Sequence, residues 1–156
     1  MCNGECDCKK NKVSNIPGIL FLVFIFSGVV FLTLHPSVAT KEQIANCIIG
    51  EAVGEGYEGM KAVALVYRNR YESGMPLLKG CVALKRKDLG DFIIEQGEIA
   101  GNLADMVVSE VFENKCFDFT FGATHYENVK QFGVPDWADS MDITTIIGQH
   151  TFYKEK

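Results

Sequence analysis

Residues 18 to 34 carry no charged side chain, and this apolar run decides how the rest of the chain can be organised. Lys9, Lys10 and Lys12 precede it, the charge bias that holds an N-terminus in the cytoplasm, so everything from His35 onward is expected beyond a membrane. The run just reaches the roughly 17-residue minimum of a spanning helix and exceeds the about 7 to 15 residues of a signal-peptide core. Ser37-Val38-Ala39 nevertheless offers small residues where a signal peptidase reads. Two readings stay open: an uncleaved anchor, or a signal peptide removed near Ala39. A buried helix of a soluble protein is disfavoured because no polar face interrupts Ile19 to Phe26. The expected division is a cytoplasmic tail (1–17), the apolar segment (18–34) and one extracytoplasmic domain of ordinary size (40–156).

Charge and cysteines narrow the partners. Twenty acidic against 15 basic residues give a formal net charge of −5, and no Lys/Arg stripe is present to track a phosphate backbone, so nucleic acid is not expected. Cys2, Cys6 and Cys8 precede the apolar run with no local histidine to complete a tetrahedral zinc site. Cys47, Cys81 and Cys116 follow it, an odd set that allows one disulfide. Cys81 with Cys116 is the expected pair, because Cys47 sits in a helix face needed for packing. Nothing in the sequence sets an oligomeric state.

Helical spacing dominates the first part of the domain. Thr40 and Gln43 have the capping-box separation, and Ile44, Ile48 and Ala52, with Ala45 and Ile49 beside them, form an apolar stripe that Gly54 and Gly56 end. A second helix is expected from Glu58 to Arg70, pairing with the first as a hairpin, and Gly74-Met75-Pro76 closes it. Residues 77–97 read as irregular around the charged knot Lys85-Arg86-Lys87-Asp88. A third helix is expected from Ile99 to Asn114, with Ile99, Leu103, Met106, Val107 and Val111 on one face. The period then changes: Phe117, Phe119 and Phe121 alternate as in a strand, and the segments 143–147 and 151–153 suit a strand or hairpin. Helices followed by a small antiparallel sheet define an α+β domain.

Glu51 is the residue most suited to chemistry. It ends an apolar helix just before a glycine-rich turn, a position that can open into a cleft. No Lys or Arg lies between Lys41 and Lys61, and Ile48 one turn earlier helps exclude water, so a carboxyl that keeps its proton is expected. Such a carboxyl can protonate a departing glycosidic oxygen.

The run Gly50-Glu51-Ala52-x-Gly54-Glu55-Gly56-Tyr57-Glu58-Gly59-Met60-x-Ala62-Val63-Ala64, followed by Asn69-Arg70, resembles the SleB/CwlJ-type cell-wall hydrolase family of spore-cortex-lytic enzymes and their relatives. Gly122-Ala123-Thr124-His125-Tyr126, Pro135-x-Trp137 and Ile147-Gly148-x-His150-x-Phe152-Tyr153 follow in that family's order. The resemblance implies a lysozyme-like or transglycosylase-like α+β domain that cleaves peptidoglycan between N-acetylmuramic acid and N-acetylglucosamine. It also implies Glu51 as general acid/base of a lytic transglycosylase, in which the muramoyl 6-hydroxyl closes an anhydro ring. One carboxylate then suffices, without cofactor or metal. Where relatives carry Gly-Val-Val and a Gln-Phe-Ser-like element, this chain reads Val82-Ala83-Leu84-Lys85-Arg86-Lys87-Asp88, a different cleft-lining loop.

Four other residues are candidates for holding the glycan. Glu55, at i+4 from Glu51, is either structural or substrate-orienting, since two groups on one helix face do not reach opposite sides of a scissile bond. Trp137 can stack on a sugar or be buried; His125 and Tyr126 can hydrogen-bond the N-acetyl group or the 6-hydroxyl, or pack in the core. His150 reads as structural. Two other functions compete: a tethered module that binds glycan without cutting it, and a zinc amidase or peptidase using His125, His150 and Asp118. The zinc reading lacks any compact ligand pair such as His-Glu-x-x-His.

Overall fold

The described residues of the computed structural model are 39–156; the tail, the apolar segment 18–34 and Cys2, Cys6 and Cys8 lie outside them. Helix α1 spans Lys41–Ala52, and its start is the expected capping box: Thr40 Oγ1 accepts the Gln43 N–H at 3.1 Å while Gln43 Oε1 accepts the Thr40 N–H at 2.9 Å. A short 3₁₀ turn, Val53–Glu55, leads directly into α2, Gly56–Glu72. The glycines therefore bend the chain between two abutting helices, and α2 starts two residues before its expected position.

Helix α2 is the centre of the domain. One side, with Met60, Val63, Ala64 and Tyr67, joins a core built with α1 and with Ala104, Val107, Val108 and Val111. The other side, with Ala62 and Val66, packs on Ala123 and Phe152. A helix buried on both sides needs apolar residues around most of its circumference, and the run Ala62–Tyr67 supplies them. In its first two turns, Lys61 pairs with Glu110, whose carboxylate also accepts from Tyr57, joining α2 to the π-helical turn Ser109–Glu113.

Helix α3 departs from expectation. It runs Leu89–Val108, beginning ten residues early, and bends at Gly97, where φ is 76°. The bend moves the buried stripe onto Ala100, Ala104, Val107 and Val108, leaving Ile99 85% exposed and Met106 half exposed. The Phe117–Phe121 strand is absent. Asp118 accepts hydrogen bonds from the Thr120 N–H and hydroxyl, the Gly122 N–H and the Asn69 amide, and this local network folds the segment into turns in place of a ladder.

Three antiparallel strands complete the α+β fold: β1 (His125–Glu127), β2 (Met141–Ile147) and β3 (His150–Glu155), in the order β1-β3-β2. The expected terminal hairpin is β2–β3, closed through Gly148 at φ 60°, with a bulge between Ile143 and Thr145. The register His125↔Tyr153 and Tyr126↔Phe152 sets β1 beside the buried centre of β3. Between β1 and β2 lie the short helix α4 (Val129–Phe132) and a 3₁₀ turn, Asp136–Ser140. No helix of the described residues is long and apolar enough to cross a membrane.

The disulfide corrects the expected pairing. Cys47 bonds Cys81, with Cα atoms 6.1 Å apart, and Cys116 stands outside the bridge at the edge of the helical core. The face of α1 expected to be needed for packing is packed by the bridge itself, with Cys47 fully buried. The two cysteines are 34 residues apart. Closing a loop of that length is worth about 4 kcal/mol in the chain-entropy account. We predict that C47A/C81A lowers unfolding free energy by up to about that amount, read from urea denaturation midpoints; an unchanged midpoint would show that the bridge constrains nothing in the unfolded chain.

Candidate active site

Glu51 occupies the last turn of α1, and its carboxyl lines an open cleft of about 730 Å³. Oε1 accepts the backbone N–H of Ala83 at 2.9 Å. Ala83 opens a short 3₁₀ turn, Ala83–Lys85, that lies against α1 because residue 50 has no side chain: a Cβ on Gly50 would sit 2.3 Å from the Ala83 Cβ. The Cys47–Cys81 bridge anchors the same segment from one turn before Glu51 and two residues before Ala83.

Helix α2 supplies the groups that shape the opposite wall. Arg70 is buried, and its guanidinium donates to the carbonyls of Thr124 and Lys79, tying the start of β1 to the loop beyond α2. Burial lowers the Arg70 pKa, with Tyr126, Tyr67 and Glu51 acting in the opposite direction. The adjacent Asn69 amide donates to Ala123 O and Asp118 Oδ2, both at 3.0 Å, which fixes the turns before β1. Arg70 thus brings to Glu51 a cation that no nearby stretch of sequence contains.

Four of the expected site residues share the cleft: Glu51, His125, Tyr126 and Trp137. The Tyr126 hydroxyl lies 2.9 Å from that of Tyr67. Burial, together with the neighbouring Tyr67 and Glu51, pushes the Tyr126 phenol well above its ordinary value, and burial raises Tyr67 as well, so both keep their protons. His125 Nδ1 is 3.0 Å from Thr124 Oγ1, and its ring lies 5.5 Å from Trp137. Trp137 meets Tyr153 edge to face at 5.2 Å and remains 37% exposed, so it is both packed and open to the cleft.

Glu55 turns elsewhere. Its Oε1 accepts the Gln149 N–H and pairs with His150 Nδ1, each at 2.9 Å, beneath the β2–β3 turn. Gly59 and Gly148 make room for it, since a Cβ on either would come within 2.7 Å of Glu55 Oε2. His150, read as structural, is buried yet reaches the cleft wall and lies edge-on to Tyr126 at 5.4 Å. Asp118, named above as a zinc ligand, spends both carboxylate oxygens on the loop it organises.

Sequence reasoning missed the Ala83 N–H, because a backbone donor carries no residue signature and this one is 32 positions from its acceptor. It also missed Lys79 and Glu127, which line the cleft. The charged knot was visible, and one member belongs to the site: Arg86 lines the cleft, bonds both Asp88 oxygens and lies 4.4 Å over the Phe92 ring.

The described residues thus place the Glu51 carboxyl in a cleft between the end of α1 and the sheet. The protein belongs to the Cell Wall Hydrolase family, whose model matches residues 54–153, a stretch that starts just after Glu51 and contains the other candidate residues. The SleB/CwlJ-type resemblance of the motifs agrees with that membership. No curated protein and no solved structure matches the chain.

The electrostatics of His125 carry a prediction. Burial, then the positive charge of Arg70, lowers its pKa below 6.5. The unfolded chain therefore binds the proton more readily, and His125 contributes stability above about pH 6.5 that is lost as pH falls through its folded-state value. Proton-detected titration should place the His125 ring below 6.5, and H125Q should flatten the fall of stability between pH 7 and 5. A ring that titrates above 6.5 contradicts the assignment.

Proposed function

We propose that this cleft cuts the glycan strand of peptidoglycan between N-acetylmuramic acid and N-acetylglucosamine, as a lytic transglycosylase with Glu51 as acid/base. The single observation that carries the reading is the Glu51 carboxyl in the cleft with one oxygen already engaged. Because Oε1 accepts the Ala83 N–H, the acid form carries its proton on Oε2. That proton goes to the glycosidic oxygen as the bond to the muramoyl C1 breaks, leaving positive charge shared by C1 and the ring oxygen. The resulting carboxylate then takes the proton of the muramoyl 6-hydroxyl, whose oxygen closes on C1. Glu51 regains its proton and no water is consumed. The α+β core is read as the lysozyme or transglycosylase kind, and Trp137, His125 and Tyr126 as the groups that hold the sugars.

Glu127 supports a second reading. It is the other carboxylate lining the cleft, with Oε1 accepting the Asn128 N–H at 3.0 Å. A carboxylate there could activate water and turn the reaction into hydrolysis. The products separate the two: anhydromuramoyl ends from transglycosylation, reducing ends from hydrolysis, measured by mass analysis of digested peptidoglycan. Lysis that stops with a chelator would instead favour the zinc amidase or peptidase.

The domain is proposed to work outside the cytoplasm, held by the apolar segment or released after it. The buried Cys47–Cys81 bridge supports this reading, because disulfides persist in oxidising compartments. We predict that E51Q lowers muropeptide release by about 10²- to 10⁴-fold, the usual contribution of a positioned acid/base, while leaving glycan binding and the fold in place. Release at the wild-type rate would remove Glu51 from the mechanism; binding without release by the wild-type domain would make it a non-cutting glycan module.

A further inference from the structure

We propose that the Ala83 segment, pinned by the Cys47–Cys81 bridge and seated on Gly50, is a positioning element that fixes the Glu51 carboxyl for reaction. The inference rests on the reading of Glu51 as the acid/base. Three independent contacts converge on one turn of α1 and one short 3₁₀ turn. Cys47, fully buried one helical turn before Glu51, is bonded to Cys81. Gly50, the residue before Glu51, admits Ala83 to a distance that any side chain would forbid. The Ala83 N–H then reaches Glu51 Oε1 at 2.9 Å.

Each contact fixes a different degree of freedom. The bridge holds the segment at the right height along α1, the bare Gly50 sets its distance, and the hydrogen bond orients the carboxyl so that Oε2 is the oxygen left for substrate. Ala83 itself is buried, while Val82 and Leu84 on either side are exposed, so the segment packs on α1 through Ala83. The 3₁₀ turn is three residues long and also touches α3, but among these contacts only those with α1 bear on Glu51. A displacement of the order of 1 Å at such a group costs about 10²-fold in rate.

The test separates positioning from stability by reading kcat against KM on peptidoglycan at a temperature where circular dichroism shows each variant folded. C47A/C81A should lose kcat by about 10-fold or more with KM changed less than about 3-fold, as expected when an interaction made at the reacting atoms is lost. G50A should show the same split with the bridge intact, because its methyl pushes Ala83 away. G50A/A83G removes the colliding Cβ and keeps the N–H, so kcat should return to within about 3-fold of wild type. Where C47A/C81A does not fold, the Gly50 pair decides the matter. Wild-type kcat in folded C47A/C81A, or a G50A loss that A83G leaves unrestored, overturns the inference. Full turnover by E51Q overturns the assignment of Glu51 instead, so the two failures are distinguishable.

Discussion

The contact between the end of α1 and the Ala83 segment organises the cleft in a way no regular element does. A disulfide, a glycine without a side chain and a backbone hydrogen bond meet within two turns of chain, and the carboxyl they hold lines the cleft. The arrangement explains why a helix can end in an ionisable residue facing open space. The turn after Ala52 bends the chain away, and a segment 32 residues on supplies a backbone donor to the Glu51 side chain.

Helix α2 gives that contact a fixed frame. Its buried sides join two cores, one with α1 and α3 and one with the sheet, so the elements that carry Glu51 and the strand that carries His125 and Tyr126 are referred to the same axis. Asn69 and Arg70, near the end of that axis, spend their donors on carbonyls and on Asp118 in segments that have no ladder of their own. The Glu55–His150 pair does the equivalent work at the other end of α2, where Gly59 and Gly148 clear a space for the carboxylate beneath the hairpin turn. Buried polar groups of this kind are costly unless paired, and nearly all of these are paired.

The chain is acidic overall, yet Arg70, Lys79 and Arg86 reach the cleft that Glu51 and Glu127 also line. Arg86 is largely answered by Asp88, while Arg70 is answered mostly by carbonyl dipoles and keeps its charge near Glu51. The protonated Tyr126 phenol completes a wall of donors. Such a wall is suited to a sugar chain, whose hydroxyl, ring and acetamido oxygens are acceptors.

Periodicity and caps made much of the architecture legible. The capping box at Thr40, the α1 stripe, the terminal hairpin and the α+β order are local properties, written in spacings of two, three and four residues, and the structure keeps them. The departures arose where one residue overrode its neighbours: the Asp118 carboxylate drew three phenylalanines out of a strand, and the Gly97 backbone turned the α3 stripe away from Ile99. Glu51 was legible as a residue type at a helix end, and His125, Tyr126 and Trp137 as polar aromatics in motif blocks. Their convergence, the Cys47–Cys81 pairing, the inward turn of Glu55 and the Ala83 donor belong to contacts between segments tens of residues apart. By itself the sequence determined the main helices, the terminal hairpin and which groups are available for chemistry, because those follow from local spacing and residue type. Only the tertiary structure decided which oxygen of Glu51 is held, because that depends on a backbone amide brought from 32 residues away.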